Sequence, residues 1–441
     1  MLTAFKKTIA SIIEKMAKSN DKKRFSIVNI KENVCRLQNL KNHFEIETAE
    51  AIHAFDKVFS LWSSLRGGLQ QTLDKPINIK FNIYNWFVRC YVAILIARFT
   101  IFIFVDNYYC DLYLANPFSG NKGDKKNAII LFIIFLLMFL YGVRDYTLRL
   151  EETGRMKITR LLYICERRGF NSKALSMNNH HCKQFQKWCH TILISIFMFM
   201  ISANIIALFT IIYLRTSSFI VYPTLTHIIF HIVFIITEFF TFSVLIVNVL
   251  CTSAYILIFL TFYTIRFNTF TDSIKKLNLK SSINNVIISE MNYRLIELLN
   301  DFGQWNYDSK YLFQYCIIAS SAVANFCCFV GFLSGLEPDA TTMTMSIVGV
   351  FVHILVTIGC YLGSQIYYES IKIRTYICKL TTKTTVEVKL KSMEIVDRLD
   401  SQYVGVHMGD FGIFHRSTCI ILLLENASFI MLLSVNARSF I

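Results

Sequence analysis

Seven stretches of the chain are long and apolar enough to cross a hydrocarbon layer as helices, at about 84–106, 127–143, 188–214, 224–265, 311–335, 344–366 and 417–436. A helix needs roughly 20 such residues to span a bilayer. Inside lipid every backbone polar group must be satisfied within its own segment, so these stretches leave the chain little choice but a helical bundle. The fourth is too long for one crossing at about 1.5 Å per residue. No Gly or Pro interrupts Thr224 to Phe267, so a single helix running out of the membrane is expected there.

The basic residues orient the bundle. Residues 1–83, 144–187, 266–310 and 367–416 hold 14, 10, 6 and 8 Lys or Arg, while the alternate segments 107–126, 215–223, 336–343 and the tail after 436 hold 3, 1, 0 and 1. Cytoplasmic loops carry the excess of Lys and Arg. The first set is therefore expected inside, which puts the N-terminus in the cytoplasm and the C-terminus outside the cell. This reading divides the chain into a cytoplasmic N-terminal region (1–83), a four-helix bundle (84–265), anchor helices (266–310), two further spans (311–366), a second anchor segment (367–416) and a last helix with a short tail (417–441). The fold class is an all-α membrane protein of seven transmembrane helices.

That orientation argues against a heptahelical G-protein-coupled receptor, which runs with its N-terminus outside. None of the four prolines falls inside a span, and of the 13 cysteines only Cys110 lies in an outer loop, where it has no partner for a disulfide. A transporter or membrane scaffold is the third class, and the two halves show no internal repeat of the kind transporters carry. The run HHCKQFQKWCH from His180 to His190 fits no standard zinc spacing. There is no Gly-rich phosphate loop and no nucleophile–base set, so neither an enzyme nor a cofactor is expected. The basic balance follows from membrane orientation rather than from nucleic acid. The first 25 residues form a basic amphipathic pattern (Leu2, Phe5, Ile9, Ile12, Ile13, Met16) that either touches anionic headgroups or packs on itself.

Two polar segments keep a helical period. Ile287, Ile288, Met291, Leu295 and Leu298 are expected on one face, and Val386, Leu390, Met393, Ile395 and Leu399 on another. Such faces need partners, either within the chain or from another copy.

Charges at membrane depth are costly and mark functional places. Arg98 in the first span and Glu238 in the fourth lie at similar depth. Two readings stay open: the pair faces each other in the bundle, or Arg98 snorkels while Glu238 stays neutral. His227, His231, Thr237 and Thr241 are candidates to line a ligand pocket beside them.

The C-terminal run IVDRLDSQYVGVHMGDFGIFHRSTCIILLLENASFIMLLSV resembles the end of the arthropod gustatory receptors, relatives of the insect odorant receptors. Gly409-Asp410-Phe411 matches their Gly-x-Phe element and His415-Arg416-Ser417 the polar residues that follow. Ala427-Ser428, the apolar run 429–433 and Ser434-Val435 fill the closing motif, with Ala, Ser, Ser and Val where the family carries Thr, Tyr, Gln and Phe. A second register starting at Thr418-Cys419 detaches the motif from the Gly-x-Phe spacing. The resemblance implies a ligand-gated, nonselective cation channel of four identical or related subunits in the plasma membrane of a sensory neuron, opened by a small-molecule tastant. It implies that the last helix lines the pore, with Met431 as a hydrophobic gate, Ser434 as a polar ring and Ser428 on the same face. Glu425 and Asn426 stand about 120° and 140° away from Met431 on a helix, one to each side. They are expected as buried polar contacts with the neighbouring spans.

Overall fold

The computed structural model describes residues 43–62, 83–105, 107–118, 124–153, 155, 157–221, 224–279, 285–329, 340–382, 384–400 and 404–439. The N-terminal amphipathic pattern lies outside them. Thirteen helices form among the described residues: α1 (His43–Leu61), α2 (Ile83–Phe104), α3 (Tyr108–Tyr113), α4 (Asp124–Glu152), α5 (Lys157–Arg168), α6 (Ser172–Leu175), α7 (Asn179–Tyr213), α8 (Thr216–Val221), α9 (Leu225–Asn278), α10 (Asn285–Cys328), α11 (Ala340–Thr381), α12 (Val386–Asp400) and α13 (Arg416–Ser439). Apart from them the described residues carry one isolated antiparallel bridge, His407 to Ile413.

Six of these helices are long and apolar enough to cross a membrane: α2, α4, α7, α9, α10 and α11. The seventh stretch of the sequence is α13, whose last side chains lie outside the described set. The fourth stretch is one unbroken helix of 54 residues, about 80 Å long at 1.5 Å per residue. The side chain of Thr224 caps it by accepting the His227 amide. With α10 at 44 residues and α11 at 42, three helices far outrun a hydrocarbon core of roughly 30 Å.

The excess length is packed. Between Val244 and Ile274 most residues of α9 are buried, on all its faces. Phe259 and Tyr263 of α9 meet Phe302 and Trp305 of α10, with Phe259 and Trp305 centroids 4.2 Å apart. Phe55 and Phe59 of α1 close on Tyr255 from the other side. A second cluster gathers Val88, Leu95 and Phe99 of α2, Phe132 and Val143 of α4, Val244 of α9 and Val323 of α10.

The two faces expected on the polar segments are only partly as expected. On α10, Ile288, Met291, Leu295 and Leu298 are buried, while Ile287 is exposed. On α12 the buried positions are Ser392, Ile395 and Leu399, joined by the half-buried Val388. Val386, Leu390 and Met393 are exposed instead. The reason is helical phase: at about 100° per residue the five apolar positions of α12 fall on two stripes on opposite sides of the helix. One faces the chain's own core and the other faces away.

The Gly-x-Phe element is a tight turn that delivers the chain into α13. Gly409 has φ +55 and Gly412 φ +110, both in the left-handed region open to glycine. Phe411 donates to Met408 O and Met408 to Gly412 O. The Gly409 amide donates to Lys310 O of α10 at 3.1 Å, and Lys310 meets Asp410 at 3.0 Å. Phe414, just before α13, is buried against Phe313.

Candidate functional site

Two places gather the residues singled out by sequence. The first lies where the N-terminal half of α9 meets α2, α3, the α7–α8 corner and α8. Arg98 of α2 and Glu238 of α9 are 2% and 3% exposed and bonded to each other. Arg215, between α7 and α8 and equally buried, donates to the same Glu238 oxygen at 2.6 Å. Two guanidinium groups therefore share one carboxylate.

The remaining donors of Arg98 reach the loop after α3. Its Nε donates to Leu114 O at 2.6 Å and its Nη2 to Ala115 O at 2.7 Å. Ala115 holds a positive φ of 49°, a backbone conformation uncommon for a residue other than glycine. Phe234 covers the guanidinium at 4.0 Å from its ring centroid. Such a cation–aromatic contact gains strength where water is excluded. Arg215 also donates to Ile211 O in the last turn of α7.

The histidines sit about two and three helical turns before Glu238, toward the start of α9. His227 and His231 are fully buried, their Nε2 atoms 2.8 Å apart. The Ser218 hydroxyl of α8 is 3.2 Å from His231 Nε2 and donates to Asn116 O at 3.0 Å. Asn116 is held in turn by Asp111, whose carboxylate accepts from its amide at 2.7 Å. Thr237 and Thr241 both bond backbone carbonyls of their own helix, at Phe234 and Thr237. The arrangement ties four elements together through buried polar bonds. In a low-dielectric interior such bonds are strong when satisfied. Sequence reasoning missed Arg215, Ser218 and Asn116. Arg215 stands at a span end, where its own neighbourhood reads as an ordinary loop.

The second place is α13. Its packed side carries Cys419, Leu422, Asn426 and Ile430, which repeat every three or four residues. Asn426 is buried, and its Oδ1 accepts from Asn325 of α10 at 2.9 Å. The opposite side is open. Leu424 and Met431 are 62% and 67% exposed, with Ile421, Ser428 and Val435 exposed beside them. An open groove of about 490 Å³ runs along Ile421, Leu424, Glu425, Ser428, Phe429 and Leu432. Ser434 belongs to the same helix, and its side chain lies outside the described residues. Glu425 differs from the expectation of a buried contact: it is exposed on the edge of the groove and makes no hydrogen bond or ion pair among the described residues. The buried polar contact belongs to its neighbour Asn426 alone, because one residue of helical phase separates the packed stripe from the open one.

Among the described residues no group of three or more His, Cys, Asp or Glu is placed to hold a metal.

No family model matches the sequence, and no curated protein matches it. Solved structures do resemble it. The insect olfactory receptor OR5 from Machilis hrabei superposes with a TM-score of 0.57 at 11% identity, over 87% of this chain and 99% of that one. The same receptor in complex with eugenol gives a TM-score of 0.54 at 12% identity, over 87% and 98%. At such identity the likeness is one of fold: the chain has an insect olfactory receptor-like fold.

Proposed function

We propose that the chain is a chemosensory receptor of the gustatory type: a ligand-gated, nonselective cation channel of four identical or related subunits, with α13 of each lining a shared pore. The carrying observation is the division of α13 into a stripe anchored by Asn426 on Asn325 and an open face of Leu424, Ser428, Met431 and Val435. A ring of exposed apolar side chains at a constriction gates by dewetting, which is the role assigned to Met431, with Ser434 forming the polar ring one turn further on.

The fold shared with an insect olfactory receptor supports this reading, as does the Gly-x-Phe turn that feeds α13. The ligand is a small organic molecule, received among the N-terminal half of α9, α2 and the α7–α8 corner. There the Arg98–Glu238–Arg215 cluster fixes helix positions, and His227, His231, Thr237 and Thr241 lie on the same stretch of α9. The exposed stripe Val386, Leu390 and Met393 of α12 is assigned to contact between subunits. The N-terminus is cytoplasmic and the C-terminus extracellular, in a multi-pass protein of the plasma membrane.

The test is expression of the full chain with epitope tags at both ends and recording of currents under a panel of small organic tastants. Ligand-evoked cation current with an intracellular N-terminal tag is the expected result. An extracellular N-terminal tag overturns the reading and returns the chain to the G-protein-coupled class.

A further inference from the structure

The foot of α13 meets α11 in a register fixed by three contacts. Tyr367 and His415 rings stand 4.4 Å apart, edge to face. The Arg416 guanidinium lies 3.9 Å over the Tyr368 ring and donates to Gln365 at 3.2 Å. The two helices run antiparallel from this point, so the next turn of α13 meets earlier turns of α11. That turn carries Cys419, and the facing positions of α11 are Ser364 and Cys360.

Cys360 is wholly buried in the large core cluster, and the partly exposed Cys419 packs against it. In this register the Cys419 thiol stands beside Cys360 and the Ser364 side chain, on the core cluster to which Cys360 belongs. The remaining thiols differ in kind. Cys327 and Cys328 are adjacent on one helix, and Cys165, Cys182 and Cys189 are all buried. Among the described residues only this contact joins the last helix to the rest of the fold through two sulfurs, with Cys419 partly exposed.

We propose that Cys360 and Cys419 are an oxidisable dithiol that a peroxide converts into an intramolecular disulfide fastening the foot of α13 to α11. The Cys419 thiolate attacks one peroxide oxygen, the O–O bond breaks and water leaves, giving a sulfenic acid. The Cys360 sulfur then displaces that oxygen. The S–S bond forms, the S–O bond breaks, and the departing hydroxide takes the Cys360 proton as a second water. Two thiols lose two electrons and one peroxide becomes two waters. A disulfide holds its Cα atoms about 4.4–6.8 Å apart, so the link fixes the distance between the two helices. With this end of α13 on the cytoplasmic side, the resting form is the reduced one. The cross-link does not require α13 to line a pore.

Peptide mapping of the full chain in lipid nanodiscs tests the proposal. Protein is treated with hydrogen peroxide, free thiols are blocked with iodoacetamide, and the digest is analysed by mass spectrometry without reduction. A peptide joining Cys360 to Cys419 is expected, lost on dithiothreitol treatment. In Cys360→Ala the oxidation stops at a Cys419 sulfenic acid that dimedone traps, and in Cys419→Ala the buried Cys360 stays unmodified. The wild-type digest decides alone if a variant fails to fold. Recovery of both cysteines as alkylated thiols after peroxide overturns the proposal, and so does a Cys419 disulfide to any other cysteine, including one of a second chain.

Discussion

Replacing Glu238 by Gln removes one charge and keeps the shape, and it is expected to be the most damaging single change in the bundle. Arg98 and Arg215, 2% and 1% exposed, then face each other with no anion between them. Orphaning a buried charge in this way costs about 3–5 kcal/mol. Arg98→Met is less severe, because Glu238 keeps Arg215, but it strips the Leu114 and Ala115 carbonyls of their donor. Unsatisfied buried acceptors put that loss at about 2–4 kcal/mol. Arg215→Met leaves a one-to-one Arg98–Glu238 pair and gives up only its bond to the Ile211 carbonyl of α7, a loss of about 1 kcal/mol. The expected order is therefore Glu238→Gln, then Arg98→Met, then Arg215→Met. Replacing all three with Met recovers part of the loss, since a matched apolar set is often as stable as a buried ionic one. The assay is the thermal midpoint of detergent-solubilised protein by fluorescence-detected size exclusion, read beside the fraction reaching the cell surface. Equal midpoints for the three single variants, or additive effects of Arg98→Met and Glu238→Met, refute the shared-carboxylate account.

Met431→Ser is expected to raise the current that flows without ligand, measured in cells expressing the full chain; an unchanged leak removes Met431 from the gate. Asn325→Leu and Asn426→Leu each orphan a buried amide and lower the thermal midpoint, by a free energy of about 1–3 kcal/mol, whereas the double replacement is close to wild type because both partners leave together. Leu390→Glu with Met393→Glu places charge on the exposed stripe of α12 and is expected to shift the assembly to smaller species on size exclusion; an unaltered elution profile means that stripe faces solvent or lipid and joins no copies.

The helical architecture was legible because its cause is local. An apolar run without Gly or Pro has one way to satisfy its backbone in lipid, and α9 follows that rule over 54 residues. The Arg98–Glu238 contact was open to inference from two charges at equal depth, since each needs an opposite partner. Arg215 was not. Its burial depends on the corner between α7 and α8 folding inward onto a carboxylate 23 residues away, and nothing in its own neighbourhood marks that. The faces of α12 show the limit of periodicity. Val386 and Ile395 are both apolar, yet nine residues set them on opposite sides, and only packing against α10 and α11 decides which stripe is covered. On α13 the adjacent acid and amide were distinguishable only once Asn325 stood opposite one of them.

Glu425 then constrains what surrounds the open side of α13. A helix at membrane depth that showed this side to lipid would place a carboxylate in hydrocarbon, at a cost of about 2.5–3.5 kcal/mol on insertion scales. Glu425 borders a groove with Leu424 and Ser428, and no basic residue in the described chain reaches it. Water or another copy of the chain satisfies it better than lipid does, which favours α13 as an internal element of an assembly. About 60° separates Glu425 from Ser428 around the helix and about 120° separates it from Met431. If Ser428 and Met431 point to the centre of a ring, Glu425 falls at the seam between neighbouring helices, partly wetted by the lumen. Glu425→Cys distinguishes the cases. A charged methanethiosulfonate reagent added outside intact cells modifies the cysteine if the seam is wet, because the thiolate is the reacting form. No modification, with surface expression as in wild type, places this side of α13 against lipid and removes the support that Glu425 lends to a pore.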